Sequence, residues 1–163
     1  MSWFNTLRKK TQSSTDVAGS ILYDERGFYN RFTQDLLEAK NEVIIESPYI
    51  TSHRMRLFRP IFTKLINRGV RVFVMTRDPR EHDLPFEYQS EAEIRNFEQI
   101  GVQTLLCSGN HHRKLAIIDR AVLWEGSLNI LSQARSREIM RRIESRKLSE
   151  EMFRFLNYNK LGF

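Results

Sequence analysis

The alternation of short β-rich runs with stretches of helical periodicity most constrains the fold of this 163-residue chain. Helical spacing of apolar residues covers 25–40, 55–68, 91–100 and 148–157, and β-rich runs cover 42–46, 70–76, 102–106, 114–119, 121–124 and 137–143. Two of these runs should pair as a hairpin across Asp119 and Arg120. The order predicts an α/β domain with a central mixed sheet and helices on both faces.

Length and local composition indicate one domain with a terminal arm. Residues 1–20 include a turn-like polar stretch, so we predict a flexible N-terminal arm over 1–20 and a folded domain over 21–163. No secretory signal is evident, and no apolar run approaches the roughly 20 residues that span a bilayer. We therefore expect no stable membrane insertion. The lone Cys107 cannot form an internal disulfide, which favours a reducing, cytoplasmic location.

The charge of the chain points to an anionic partner without identifying it. The formal net charge is +6 and the pI is about 9.7. A basic surface attracts polyanions through counterion release, which favours nucleic acid or an anionic membrane surface. The same charge is also enough merely to keep a small domain in solution. Charge alone therefore favours neither interpretation over the other.

Six residues at fixed offsets occur once in the chain and carry its chemistry. They are His112, Lys114, Asp119, Gly126, Ser127 and Asn129. Each short piece is commonplace, but their joint spacing is far more specific. No second copy of the set is present in the sequence.

These residue types suit attack on a phosphodiester, which is a kinetically inert anion. His112 can attack phosphorus when its imidazole is neutral at the attacking nitrogen. On a strand, Lys114 leaves the same face as His112 and can offset charge on the non-bridging oxygens. Ser127 and Asn129 add neutral donors, and Gly126 would let the backbone approach an anion closely. The set favours nucleophilic catalysis over hydrolysis assisted by a metal cluster.

Two acidic residues have candidate supporting roles. Asp119 lies at a predicted strand end, and we interpret it as a structural or tautomer-setting residue more than a chemical one. Glu138 is a candidate to accept a hydrogen bond from the second ring nitrogen of His112, by the orienting logic of a catalytic triad.

The other histidines are expected to be incidental. His111 is out of register with the motif and is predicted to be a surface residue, and His53 and His82 are predicted to be exposed. Four histidines and one cysteine, without CxxC or HxxxH spacing, make a structural zinc site improbable. We therefore predict no metal and no cofactor.

The motif reads HxK(x)4D(x)6GSxN and resembles that of the phospholipase D superfamily, in particular its single-motif, nuclease-type branch of small bacterial proteins. The resemblance extends to 42–47 and 136–140 and implies a phospholipase D-like sandwich. In that family two motifs meet at one active site across a pseudo-twofold axis. One histidine becomes phosphorylated, the other protonates the leaving oxygen, and no metal is needed.

A single motif implies, by the same resemblance, that two identical subunits build the site. His112 of each subunit would take one of the two histidine roles. Lys114, Ser127 and Asn129 of both subunits would bind the phosphate. A twofold interface is self-complementary, so one motif near the axis is enough.

The substrate is a weaker inference from the residues. If 137–143 is a strand beside the motif, Arg137 and Arg141 face one way and could line a groove for a phosphate backbone. A solvated basic edge explains them equally well. Phe86, Tyr88 and Tyr49 are predicted in loops, where they could stack on bases or pack inward.

Three functions follow as hypotheses. The first is a metal-independent phosphodiesterase, most simply a nuclease that cuts DNA or RNA with little sequence preference as a homodimer. The second is a lipid phosphodiesterase of the same mechanism at a membrane surface. The third is a nucleic-acid-binding subunit of a larger restriction, repair or helicase-linked complex.

Overall fold

The computed structural model describes residues 19–163. Its strands are β1 Ser20–Asp24, β2 Glu42–Glu46, β3 Arg71–Arg77, β4 Gln103–Cys107, β5 Leu115–Ile118, β6 Val122–Gly126 and β7 Ile139–Glu144. Its α-helices are α1 Phe28–Glu38, α2 Ser52–Asn67, α3 Leu84–Gln99 and α4 Arg146–Phe155. Short 3-10 helices cover Pro79–Glu81 and Tyr158–Lys160.

The strands form one mixed seven-stranded sheet in the order β1-β7-β6-β5-β2-β3-β4. Strands β2, β3 and β4 are parallel, as expected where helices α2 and α3 form the crossovers. The other four strands pair antiparallel with their neighbours. The predicted α/β class with a central mixed sheet is confirmed.

Each face of the sheet buries its own apolar cluster. The larger cluster packs α1, α2 and α3 against the sheet through large aromatic side chains, which are Phe28, Phe32, Phe58, Phe62, Phe97 and Trp124. The smaller cluster packs α4 and the C-terminal 3-10 helix through Phe153 and Tyr158. Full burial of one such side chain contributes about 1.5–3 kcal/mol. Helices therefore cover both faces, as predicted.

The β5–β6 hairpin confirms the predicted pairing across Asp119 and Arg120. Both residues have positive φ, 52° and 50°, and the Ala121 N–H donates to the Ile118 carbonyl at 2.9 Å. This is a two-residue type I′ turn, whose twist matches that of the two strands. It places Asp119 at the opposite end of β5 from Lys114.

Strand β1 was missed by the sequence patterns. Ser20, predicted as the last residue of the arm, begins this strand and pairs with Ile143 of β7. The apolar run of β1 is only three residues long, from Ile21 to Tyr23, and its position at the edge of the sheet leaves Leu22 exposed, so no clear strand pattern results. The rest of the predicted arm, residues 1–18, lies outside the described residues.

Two predicted boundaries were wrong near the site. Helix α3 begins at Leu84, because Pro85 occupies its first turn, where the missing N–H of proline costs nothing. Phe86 and Tyr88 therefore lie on a helix and not in a loop. Strand β7 begins at Ile139, so Arg137 precedes it.

Within residues 19–163, the helices are too short or too polar to cross a membrane.

Candidate active site

The motif residues gather at one edge of the sheet. This edge runs across the ends of the strands and not along an outer strand. It contains the end of β2, and antiparallel pairing brings the start of β5, the end of β6 and the start of β7 beside it. An open cleft of about 750 Å³ lies there. Its polar lining includes His112, Lys114, Ser127, Asn129, Glu138 and Arg141. Five of the predicted catalytic residues thus share one cleft.

His112 and Lys114 are in direct contact. The Lys114 ammonium lies 2.7 Å from Nδ1 of His112 and also donates to the His112 carbonyl at 2.7 Å. Burial, the Lys114 charge and the Arg77 charge lower the pKa of His112 below its ordinary value of 6.5. Burial also lowers the pKa of Lys114, although the carboxylate of Glu138 opposes that effect. The imidazole is therefore held neutral near pH 7.

The Lys114 contact also bears on where the imidazole carries its proton. An ammonium can only donate, so Nδ1 of His112 accepts and a neutral ring holds its proton on Nε2. This form can give a proton from Nε2. To attack phosphorus from Nε2, the ring must instead hold its proton at Nδ1 against an acceptor.

Gly126 lies where β6 and β7 come into close contact. A Cβ at this position would lie 2.2 Å from the Ile139 carbonyl oxygen and 2.9 Å from Cα of Met140. Glycine is thus required by the close approach of β7 to the end of β6, and its predicted role beside an anion stays a prediction. Oγ of Ser127 accepts from the Ile139 N–H at 3.1 Å, which fixes the hydroxyl at the mouth of the cleft.

Asn129 brings an unpaired amide oxygen to the cleft. Its backbone carbonyl accepts from the N–H groups of Ser132 and Gln133, at 3.1 and 2.8 Å. Its Oδ1 is buried and has no hydrogen-bond partner among the described residues. Buried polar atoms are seldom left unpaired, so this amide is available to a ligand or to water.

Glu138 forms no hydrogen bond with His112 in the described chain, although one was predicted. Its Oε1 accepts from the Ser136 hydroxyl at 2.8 Å, and its backbone N–H donates to Glu25 at 3.1 Å. Its carboxylate lines the same cleft as Lys114, and its charge acts to raise the pKa of that ammonium.

Asp119 lies outside the cleft and ties chain segments together. Its carboxylate accepts from the backbone N–H groups of Lys40, Asn41 and Glu42, at 2.8, 2.8 and 3.0 Å. Charge-assisted bonds of this kind are about twice as strong as neutral ones. These contacts hold the loop before β2 against the β5–β6 turn, and none of them reaches His112.

The basic residues of the β7 region divide between two faces. Arg141 lines the cleft, where its guanidinium donates to the Ser20 hydroxyl at 3.0 Å. Arg137 is exposed and lines a neighbouring depression with Glu25 and Arg26. Arg142 points to the other face and is buried. Arg141 therefore lines the motif cleft, whereas Arg137, predicted to face the same way, precedes β7 and lies beside the cleft.

A buried ionic cluster beneath the motif was missed, and the prediction that His111 is a surface residue was wrong. The His111 side chain is 6% exposed, and its Nε2 lies 3.2 Å from Oε2 of Glu46. The fully buried Glu46 also accepts from Arg113 at 2.7 Å and from the Tyr158 hydroxyl. The signal in the sequence was a glutamate that ends the apolar run of β2.

This cluster keeps the Glu46 carboxylate charged and fixes both neighbours of His112. Burial raises the pKa of Glu46, but His111, Tyr158 and Arg113 outweigh that effect and hold it below its usual value. Because His111 and Arg113 are both tied to β2, the backbone between them directs His112 toward the cleft.

The two remaining histidines differ from one another. His53 is exposed, as predicted. His82 is only partly exposed, and both of its ring nitrogens are buried without a partner among the described residues. Its ring lies 5.0 Å from that of Tyr49. The prediction that His82 is exposed was therefore wrong. In the described part of the chain, no group of three or more His, Cys, Asp or Glu side chains could hold a metal ion.

The sequence model of the family described as "Cardiolipin synthase, PLD-like domain" matches residues 32–158. The match covers most of the chain and includes the whole motif. The chain therefore belongs to this phospholipase D-like family. No curated protein matches the chain by sequence.

Solved structures of the phospholipase D superfamily share this fold. The phospholipase D family member Nuc from Salmonella typhimurium superposes with a TM-score of 0.68 at 16% identity, over 83% of this chain and 90% of Nuc. NucT from Helicobacter pylori gives 0.65 at 18% identity, over 83% of this chain and 91% of NucT. Phosphatidylserine synthase from Haemophilus influenzae gives 0.66 at 14% identity, over 87% of this chain and 38% of the synthase.

Proposed function

We propose that the protein is a metal-independent phosphodiesterase that hydrolyses DNA or RNA with little sequence preference, at a site shared by two identical subunits. The observation that carries the proposal is the cleft that unites His112, Lys114, Ser127 and Asn129. It offers a neutral imidazole, a cation and polar groups with open hydrogen-bonding capacity. These are the groups that nucleophilic attack on a phosphodiester requires.

In the proposed reaction, Nε2 of one His112 attacks phosphorus and the bond to the leaving alcohol oxygen breaks. The partner subunit's His112 gives its Nε2 proton to that oxygen. Water then attacks phosphorus, gives a proton back to the partner's His112 and breaks the N–P bond. When Lys114 moves from Nδ1 to the non-bridging oxygens, the attacking ring loses its Nε2 proton to water and takes a proton from water at Nδ1. It can then donate from Nδ1 to Glu138, which lines the same cleft.

Two features of the described chain support a shared site. The reaction uses two imidazoles, whereas the cleft of the described chain is lined by one, that of His112. Leu22 and Ile139 flank the same cleft and are 56% and 62% exposed. Exposed apolar side chains at the rim of a polar site are typical of a surface that a partner covers. A second copy of this edge would supply both the cover and the missing histidine.

Charge and size favour a nucleic acid as the substrate. The net charge is +6, and Arg113 and Arg141 both line the cleft. Cations along an open cleft suit a phosphate backbone that continues past the reacting group. The chain also matches about nine-tenths of Nuc and of NucT but only 38% of the phosphatidylserine synthase, so its size is that of Nuc and NucT and not that of the synthase.

A lipid phosphodiester is the second candidate substrate. The family description names cardiolipin synthase, and the exposed Leu22 and Ile139 could contact acyl chains beside the cleft. The third candidate, a binding subunit of a larger nucleic-acid complex, would use the same basic edge without turnover.

Cleavage in excess EDTA separates these functions. We expect the full chain to cut single-stranded DNA, duplex DNA or RNA at an unchanged rate when EDTA is added, because no step uses a metal. Phosphatidylcholine vesicles are assayed in parallel for headgroup release. Cleavage that stops in EDTA contradicts the mechanism, and headgroup release without nucleic-acid cleavage favours the lipid function. Salt-sensitive DNA binding without any cleavage favours the binding subunit.

A further inference from the structure

A second cavity lies beside the motif cleft and is not used by the proposed reaction. Its volume is about 460 Å³, which is within the range of sites for small molecules. It lies between the ends of β2 and β3 and the start of α3. Tyr49, Arg77, His82, Phe86, Ser90 and Ser132 are among its lining residues.

The Tyr49 side chain lies between this cavity and the His112 imidazole. The Tyr49 ring lines the cavity, and its centroid lies 6.2 Å from that of His112. Arg77 also lines it and is close enough for its charge to lower the pKa of His112. A group attached to a phosphate at His112 would therefore extend past Tyr49 into this space.

His82 gives the cavity open hydrogen-bonding capacity. Both of its ring nitrogens are buried and lack a partner among the described residues. Burial and the Arg77 charge lower its pKa, so the ring is neutral near pH 7 and has one donor and one acceptor. A nucleobase edge presents donors and acceptors side by side and complements such a pair.

Aromatic side chains supply faces on which a planar group can stack. Tyr49 lies on one side of His82, with ring centroids 5.0 Å apart. Phe86, in the first turn of α3, lines the cavity and is 56% exposed. A base stacks well on such a ring whatever its identity, which suits cleavage with little sequence preference.

The charges of the cavity argue against an ionic occupant. Arg77 is already paired with Glu81 at 3.0 Å, and Asp83 is a further lining carboxylate, so a second phosphate would be repelled. A quaternary ammonium headgroup has neither a donor nor an acceptor, so it would leave both buried ring nitrogens of His82 without a hydrogen-bond partner. A neutral, planar, polar group avoids both penalties.

We propose that this cavity binds an unpaired nucleobase adjacent to the scissile phosphate. The inference rests on the proposed function, because it names the part of a nucleic acid that lies next to the phosphate at His112. Tyr49 and Phe86 stack on the base and His82 hydrogen-bonds to its edge. A base held in a duplex cannot reach the cavity without leaving its stack.

Binding of mononucleotides to the full chain tests this without turnover. We expect a deoxynucleoside 5′-monophosphate to bind about tenfold more tightly than deoxyribose 5-phosphate, since stacking and edge contacts add to the phosphate site. The double variant His82→Ala/Phe86→Ala should lose most of this preference and keep the affinity for deoxyribose 5-phosphate. Tyr88→Ala is the matched control, because Tyr88 is an aromatic residue of the same helix that is 68% exposed.

The outcomes separate the cavity from the nuclease function. Equal affinities for the two ligands, a preference that survives in the double variant, or tighter binding of phosphocholine would each overturn the base site. Base preference in a chain that cleaves no nucleic acid would keep the cavity and contradict the nuclease. Cleavage of nucleic acid by a chain that shows no base preference would support the nuclease function and overturn the base site.

Discussion

Replacing His112 with alanine should reduce phosphodiester cleavage by at least about 10⁴-fold in kcat/KM, because both the nucleophile and the general acid are lost from a shared site. The His112 side chain is exposed, and its contacts are with Lys114 and the edge of Tyr49. The fold and the subunit association should therefore be unchanged. The measurements are steady-state cleavage, circular dichroism and size-exclusion chromatography on the same preparation.

His53→Ala is the matched control for this variant. His53 is also exposed and contacts Arg56 on α2, away from the cleft residues. We expect its cleavage rate to remain within about twofold of the original, as for surface substitutions in general. Near-normal activity of His112→Ala would remove the phosphohistidine step from the account, whatever the substrate.

Replacing Asp35 with alanine should have the largest effect on stability, at about 3–5 kcal/mol of unfolding free energy. Asp35 on α1 is buried and accepts from Arg142 at 2.7 and 3.0 Å and from the Trp124 indole N–H at 2.8 Å. Its removal leaves the Arg142 charge buried beside the apolar cluster with only Glu144 as a partner. The measurement is the urea unfolding midpoint at constant slope.

The same substitution at Glu38 provides the control. Glu38 lies one turn along α1 and is exposed, so Glu38→Ala should change the unfolding free energy by less than about 0.5 kcal/mol. Equal effects of the two substitutions would show that the Asp35 network contributes no more than helix propensity. Arg142 and Trp124 are paired across β7 and β6, so this network also supports the strands next to Ser127 and Glu138.

The parts of the fold that depend on local sequence were predictable. The β5–β6 hairpin follows from two β-rich runs separated by Asp119 and Arg120, and α2 follows from its apolar spacing. Strand β1 was not predictable in the same way, since its five residues form a strand only through their pairing with β7. The start of α3 was missed because Pro85 suits both a loop and the first turn of a helix.

In the site, too, the features that depend on local sequence were predictable and those that depend on tertiary contacts were not. The two-residue spacing of His112 and Lys114 predicts their shared face, and the structure brings them into contact. The pairing of His111 with Glu46 depends on which strands meet at the sheet centre, and no local pattern encodes that. The orientation of Glu138 likewise depends on Ser136 and Glu25, so the predicted bond to His112 is absent from the described single chain.

Activity in mixtures of original and His112→Ala subunits tests the shared site most directly. If two copies of His112 act together, activity follows the square of the original fraction, so an equimolar, fully exchanged mixture should retain about one quarter of the activity. Subunit exchange is checked by a size tag on one form. Retention of about half, with activity proportional to the original fraction, would contradict the shared site and mean that each chain carries a complete active site.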